Sequence, residues 1–129
     1  MNHKGIDIGA AKGSSIYAVA DGTVTVSGIV SGYGYYVQIQ HANGVKSFYG
    51  HMRDASTLKV GDKVSAGDFI GYVGGTGTYD DGSINNNAYS PHLHFGVLLN
   101  GKDVDPMSGY FSQAAMSGLS YRVMFYTYK

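Results

Sequence analysis

Short runs that alternate apolar and polar residues, separated by Gly, Asn and Asp, fill most of the sequence and leave almost no helical periodicity. In residues 35–40, Tyr35, Val37 and Ile39 fall on one side of an extended chain and the intervening residues on the other. The pair Asn43-Gly44 follows, which is a strong signal for a tight hairpin, and residues 45–51 return as a second strand. This period of two predicts β-strands joined by tight turns.

The rest of the chain follows the same pattern, with one long exception. Segment 74–90 is polar, rich in Gly and Asn, and has no usable period, so we predict a long loop there. Other elements are predicted at residues 16–19, 23–29, 58–71 (short strands joined by two Gly-containing turns), 91–99 (opened by Pro91), 113–117 (a short helix) and 121–128 (strand-like). The sequence therefore predicts one all-β domain with little helix.

Composition narrows the range of functions. Charged residues make up 14% of the 129 residues and the formal net charge is zero, so no electrostatic feature favours nucleic acid or an anionic membrane as a partner. Cysteine is absent from the sequence, which excludes disulfides, thiol nucleophiles and thiolate ligands and leaves His and carboxylates as candidate metal ligands. No apolar stretch approaches the ~18 residues of a membrane span, and the N-terminus carries no signal-peptide pattern.

Histidines are the main functional candidates. His92 and His94 lie two apart in an alternating strand, so both imidazoles project from one face while Leu93 projects from the other. Residues two apart on a strand are separated by about 6.5–7 Å at Cα, which suits one metal ligand and one neighbour that reaches bound substrate. Gly96 is next on the histidine face, and we expect it to leave the floor of the site open.

A second alternating segment lies near the N-terminus, where His3, Gly5 and Asp7 share one face. His3 and Asp7, with a histidine from another strand, form a plausible three-ligand set with a fourth position open for water, which is typical of catalytic zinc. His51 ends the predicted strand 45–51, and alternation places it on the same face as Tyr49.

Other polar residues are interpreted as structural. We expect His41, beside the Asn-Gly turn, to bond to backbone, and the turn carboxylates Asp21, Asp62 and Asp68 to cap turns. Most of the aromatic residues are expected to pack, although Tyr33, Tyr35 and Tyr79 could line a substrate groove.

Three motifs, His3-x-Gly-x-Asp7, Tyr49-Gly50-His51-Met52 and His92-Leu93-His94, together resemble the lysostaphin-type (M23) metallopeptidases. The resemblance extends through residues 3–106 in the order found in that family. Its framework segments are residues 18–24, 32–35, 41–44, 60–64, 71–74, 76–77 and 104–106.

The resemblance implies antiparallel sheets in a split-barrel-like or barrel-sandwich peptidase core over residues 1–106, with 107–129 as an extension that packs on the core or joins an edge strand. It also implies one Zn²⁺ per chain, held by His3, Asp7 and His94, with His51 and His92 as unliganded catalytic histidines. The implied activity is endopeptidase cleavage of peptide bonds in the stems or cross-links of bacterial peptidoglycan. The sequence leaves open which of His51 and His92 acts as general base.

Two departures from the family pattern stand out. Gly96 occupies a position where many relatives carry Glu, and we expect little effect on the chemistry. The loop over residues 78–89 is longer than expected, and we predict that it forms a wall of the substrate groove.

The sequence also gives expectations about the source of the chain and about alternative functions. A ligand at residue 3 suggests a catalytic domain excised from a larger lytic protein. The source we favour is a phage lysin or tail-associated protein that acts outside cells at the bacterial wall. A secreted bacterial autolysin is the second expectation. One alternative is a non-catalytic M23-like module that binds peptidoglycan or a partner amidase. A D-Ala-D-Ala-type zinc carboxypeptidase is disfavoured, because such enzymes place their last histidine after Glu-x-x-His rather than in His-x-His.

Overall fold

The computed structural model describes residues 5–106 in full and the backbone of residues 125–128. Apart from one 3-10 turn at Ala42–Gly44, the regular elements of this part are strands, and no helix in it is long and apolar enough to cross a membrane. The strands are β1 Ile6–Gly9, β2 Ser15–Tyr17, β3 Gly22–Val30, β4 Gly34–Gln40, β5 Val45–Met52, β6 Lys63–Val64, β7 Phe69–Tyr72, β8 Gly77–Thr78, β9 Ile84–Asn85, β10 His92–Leu99, β11 Lys102–Val104 and β12 Phe125–Tyr128. The predicted all-β class is confirmed.

One antiparallel sheet carries the fold. Its strands lie in the order β12-β1-β10-β5-β4-β3-β6, with β11 paired to β10, and two small two-stranded sheets, β2-β7 and β8-β9, lie beside it. Strand β1 therefore sits between β12 and β10, and β10 sits between β1 and β5. This order brings together strands from both ends of the sequence.

Alternation along the strands builds the core. The side chains that are almost completely buried come from every second position of the main strands, and they are mostly β-branched or aromatic, as a packed sheet face requires. They include Ile6, Ile8, Val24, Val37, Ile39, Tyr49, Leu93, Phe95 and Val97. The opposite face of β1, β5 and β10 is thereby left for polar side chains.

The β4–β5 hairpin is confirmed, and it depends on the predicted Asn-Gly turn. Asn43 and Gly44 both have positive φ, 61° and 76°, as a tight hairpin turn requires. The predicted turn carboxylates are also confirmed, since Asp62 accepts from the Lys59 amide at 2.8 Å and Asp68 from the Ser65 amide at 2.8 Å. Turn conformations and short-range hydrogen bonds thus fix these connections between strands.

The prediction that residues 74–90 form a loop without regular structure is wrong in part. Strands β8 and β9 form a short hairpin there, with Gly77 opposite Asn85 and Thr78 opposite Ile84. Two-residue strands are too short to produce a visible period, which explains why the pattern gave no signal. In the segment 58–71, strands form only at β6 and β7.

The predictions for the C-terminal part are tested only at its end. The expected helix at 113–117 lies outside the described residues. Strand β12 lies within the predicted strand-like stretch and pairs with β1, with Thr127 opposite Asp7. It covers the edge of the strand that carries a predicted metal ligand.

Candidate metal centre and active site

Strands β1 and β10 place two predicted ligands side by side. Asp7 lies directly opposite His94 in the antiparallel register, and directly opposed residues project from the same face. The neighbouring Leu93 and Phe95 are buried on the core face, at 1% and 0% exposed. The predicted division of β10 into a histidine face and a core face is confirmed.

Two histidine side chains on this face converge on one carboxylate oxygen of Asp7. Asp7 Oδ1 lies 3.0 Å from His94 Nδ1 and 3.5 Å from His92 Nε2. His92 Nδ1 donates to the Ser90 carbonyl at 2.7 Å, so the lone pair of the neutral ring lies on Nε2. That Nε2 atom is buried and makes no hydrogen bond within the part of the chain that the structure describes. A buried ring nitrogen without a hydrogen-bond partner indicates that a ligand or a water binds there.

His51 reaches the same cluster through a β-bulge. Between the pairs Tyr35–Met52 and Val37–Tyr49, strand β4 has one residue and β5 has two, Gly50 and His51. His51 also has a left-handed backbone, with φ of 58°. The expectation that His51 shares a face with Tyr49 is therefore wrong, because an extra residue in the strand reverses the alternation.

The result is a buried histidine beside the other two. The His51 ring centroid lies 4.8 Å from that of His92 and 5.7 Å from that of His94. Its Nδ1 donates to the Thr76 carbonyl at 2.7 Å, and Thr76 Oγ1 donates to the Met52 carbonyl at 2.6 Å. Burial lowers the pKa of His51 to about 4, with a smaller contribution from the two histidines, so the ring is neutral at pH 7.

Aromatic rings form the floor next to His94, contrary to the expectation that Gly96 leaves it open. The Phe48 ring stacks on His94 with centroids 5.7 Å apart, and a side chain built on Gly96 would collide with that ring. Tyr33 lies over Gly50, 5.4 Å from the His94 ring and 6.1 Å from the His51 ring. Glycine at positions 50 and 96 makes room for aromatic packing against the metal-site histidine.

The three tyrosines predicted to line the groove lie in different places. Of the three predicted groove residues, Tyr33 contacts the histidines, Tyr35 packs against the core, and Tyr79 is 57% exposed in the β8–β9 turn. Tyr89, which sequence reasoning missed, lies 4.6 Å from the His51 ring and 6.0 Å from the His92 ring. No sequence signal marks it, because its approach depends on the bond of its amide to the Gly75 carbonyl.

His41 lies elsewhere and has a structural role, as predicted. Its Nδ1 donates to the Asp21 carbonyl at 2.6 Å, and its Nε2 accepts from the Ser47 hydroxyl at 2.7 Å. The chain continues through the Tyr49 hydroxyl, 2.8 Å from Ser47 Oγ, to the Val19 amide at 3.1 Å. Both ring nitrogens are engaged in a network that ties β3, β4 and β5 together.

The residues present fit a zinc ion. Asp7 and His94 supply an oxygen and a nitrogen, the donor types zinc takes when thiolates are absent, and their 3.0 Å separation is close to the roughly 3.3 Å between neighbouring donors of a tetrahedral site. Within the described residues no three His or acidic side chains form a group able to hold a metal ion. The third predicted ligand, His3, lies outside the described residues.

An antiparallel sheet that places two donors of the type zinc takes, Asp7 and His94, beside two further histidines has the arrangement expected of a metallopeptidase. The model of peptidase family M23 matches residues 1–106, and the chain belongs to this family.

Curated relatives share the domain but are longer. The chain is 40% identical over 106 residues to the DD-carboxypeptidase/endopeptidase Mpg of Neisseria meningitidis serogroup B, covering 82% of this chain and 22% of the relative. It is 35% identical over 106 residues to the murein hydrolase activator EnvC of Escherichia coli K12, covering 82% and 23%. The chain thus spans about a fifth of the length of these relatives.

Solved structures agree on the fold. The catalytic domain, in a mutant form, of the prophage-encoded M23 protein EnpA from Enterococcus faecalis matches with a TM-score of 0.70 at 32% identity, covering 84% of this chain and 78% of that chain. A zinc-containing peptidase from Vibrio cholerae matches with a TM-score of 0.70 at 32% identity, covering 85% and 31%. Family membership therefore rests on sequence and on structure.

Proposed function

We propose that this chain is a zinc-dependent endopeptidase domain that hydrolyses peptide bonds in the stems or cross-links of bacterial peptidoglycan. The observation that carries the proposal is the convergence of His94 Nδ1 and His92 Nε2 on Asp7 Oδ1, at 3.0 and 3.5 Å. Mpg, an endopeptidase by name, and the zinc-containing Vibrio peptidase support it.

The proposed metal ligands are His3, Asp7 and His94, for one zinc ion per chain. When bound, zinc acts as a Lewis acid that favours deprotonation of water and polarises a peptide carbonyl. Asp7 and His94 are oriented for this by their opposed positions on β1 and β10. The Phe48 and Tyr33 rings pack on His94 and exclude water from that side.

His51 and His92 are the proposed catalytic histidines. Each donates Nδ1–H to a backbone carbonyl, of Thr76 and Ser90 respectively, so each presents Nε2 as the proton acceptor. A neutral imidazole can take a proton from water at Nε2 and then donate it to the leaving amine. Tyr33 is the proposed substrate contact nearest these rings; substrate roles for Tyr35 and Tyr79 stay predictions.

The test is hydrolysis of purified sacculi, one set with direct diamino acid cross-links and one with glycine bridges. New amino groups should appear in at least one set, disappear when a chelator removes the metal, and return when zinc is added. Mass spectrometry of the products then identifies the cleaved bond. Amino-group release that is indifferent to the chelator, or none from either wall type, would refute the proposal.

The alternative is a non-catalytic module that activates a partner amidase, favoured by the 35% identity to a murein hydrolase activator. It predicts protein without stoichiometric zinc, inactive on sacculi, that increases hydrolysis by an added amidase. The convergence of Asp7, His92 and His94 favours the enzyme instead.

We also propose that the domain acts outside cells, at the bacterial wall, as part of a larger lytic protein of phage origin. The likeness to a prophage-encoded M23 protein supports this origin. Purified protein added to susceptible cells should lower their turbidity; activity on isolated sacculi with none on whole or permeabilised cells would argue against action from outside.

A further inference from the structure

Tyr89 is held at the active site by its own backbone. Its amide donates to the Gly75 carbonyl at 2.9 Å, and the His92 amide donates to the Gly74 carbonyl at 3.0 Å. The next residue on that segment, Thr76, accepts the His51 Nδ1–H bond at 2.7 Å. One short stretch of chain therefore fixes both Tyr89 and the hydrogen-bond acceptor of His51.

The ring of Tyr89 fits closely against its neighbours. It packs on His51 with centroids 4.6 Å apart at an interplanar angle of 54°, and its edge meets His92 at 6.0 Å. A Cβ atom built on Gly77 would lie 3.1 Å from Tyr89 Cε2, and one built on Gly75 would collide with the Tyr89 carbonyl. Glycine at these two positions thus allows the close approach. Because Tyr89 is 47% exposed, much of the ring still faces solvent.

His51 needs such support. A single hydrogen bond from Nδ1 fixes one edge of the imidazole but leaves the ring free to rock about that bond, and its left-handed backbone is a conformation that non-glycine residues rarely adopt. The ring centroid of His92 lies 4.8 Å from that of His51 and the centroid of Tyr33 lies 6.1 Å away, whereas Tyr89 lies at 4.6 Å. The Tyr89 ring therefore provides the nearest aromatic surface that restrains the rocking.

We propose that Tyr89 is a positioning residue that holds the His51 imidazole in its reactive orientation through ring packing, without use of its hydroxyl. This inference rests on the proposed function, in which His51 transfers a proton. A small misplacement of a catalytic group can cost on the order of 100-fold in rate, so the contact has a measurable consequence.

The kinetic test compares Tyr89→Ala, Tyr89→Leu and Tyr89→Phe, with Phe69→Ala, a similarly exposed aromatic residue on β7, as the control. We expect kcat to fall about 10- to 100-fold in the Ala variant, with KM changed less than about twofold, zinc content unchanged and activity rescued by Phe. The Leu variant keeps bulk without an aromatic face, so it should fold and show an intermediate loss. Phe69→Ala should match the wild type.

Several outcomes would overturn the proposal. An unchanged kcat in Tyr89→Ala would show that His51 needs no support from the ring. A raised KM with kcat intact would make Tyr89 a substrate wall, and a Phe variant as impaired as Ala would assign the role to the hydroxyl.

A second readout is independent of activity. Long-range ¹⁵N–¹H NMR reports which imidazole nitrogen carries the proton, with the His51 signals assigned from a His51→Ala sample. We expect one sharp Nδ1–H form of His51 in the wild type and in Tyr89→Phe and Phe69→Ala, and broadened or mixed signals in Tyr89→Ala. If the wild type itself is inactive, the proposed function fails while this spectrum still decides the positioning; a sharp, unchanged His51 signal in Tyr89→Ala would refute it.

Discussion

Two histidine environments of this sheet contrast in how their ring nitrogens are used. His41 donates from Nδ1 to the Asp21 carbonyl and accepts at Nε2 from the Ser47 hydroxyl. His92 also donates from Nδ1 to a carbonyl, but its Nε2 is buried beside Asp7 without a hydrogen bond among the described residues. Buried polar atoms in proteins normally have a hydrogen-bond partner. The Nε2 atom of His92 is therefore the atom that marks the proposed active-site end of the sheet.

The backbone differs between the same two regions. Strand β5 is regular where Ser47 lies, opposite Ile39 and Val97. It bulges at Gly50 and His51, where φ reaches 58°. A non-glycine residue in the left-handed region costs about 1–2 kcal/mol, and such strain tends to occur at functional sites. One strand thus serves stability at one end and chemistry at the other.

The largest expected effect comes from removing a ligand at the proposed active-site end. His94→Ala should lose zinc and with it several kcal/mol of transition-state stabilisation, which corresponds to a loss on the order of 1,000-fold or more in activity. Elemental analysis and amino-group release from sacculi measure the two effects. Full zinc content in this variant would remove His94 from the ligand set.

His51→Ala should separate metal binding from catalysis. Loss of the proposed proton-transfer group should lower kcat by about 100- to 10,000-fold, while zinc content should stay at the wild-type level because the proposed ligand set does not include His51. His41→Ala is the matched control: it should cost about 1–3 kcal/mol of stability through the loss of two hydrogen bonds and leave kcat per folded molecule unchanged. Loss of zinc in His51→Ala, or loss of kcat in His41→Ala, would break the contrast between the two regions.

Strand alternation was sufficient to predict that His92 and His94 share one face of β10 and that Leu93 and Phe95 enter the core. That Asp7 lies on the same face follows from the pairing of β1 with β10. The positions on β10 depend only on the period of two, which is visible in the sequence. The fold class follows from the same pattern.

The bulge and the packing around the site could not be predicted in this way. The orientation of His51 depends on the register between β4 and β5, which contains one extra residue on β5. The sequence of one strand does not specify this register. Phe48 fills the space above Gly96 from a neighbouring strand, and Tyr89 is placed by the bond of its amide to the Gly75 carbonyl, outside the strands. Alternation within one strand carries no information on contacts between strands.

The smallest expected effect is a pH dependence of stability that originates at His41. Burial lowers the pKa of His41, only partly offset by the bond to the Asp21 carbonyl, whereas in the unfolded chain the ring titrates near pH 6.5. Between these two values the unfolded state binds more protons, so the free energy of unfolding should decrease as pH falls below about 6.5. Above that pH the contribution of His41 is fully present.

His51 acts in the same direction, since its folded-state pKa is also lowered, to about 4, and the wild-type curve therefore contains both contributions. The difference between the wild type and His41→Gln, measured by urea unfolding from pH 7.5 to 5, isolates His41 because Gln does not titrate. The stability advantage of the wild type should shrink as the pH is lowered. A constant difference in the free energy of unfolding, or one that grows in acid, would mean that the His41 network does not favour the neutral ring. The contrast between a hydrogen-bonded structural histidine and a catalytic pair would then lose its electrostatic basis.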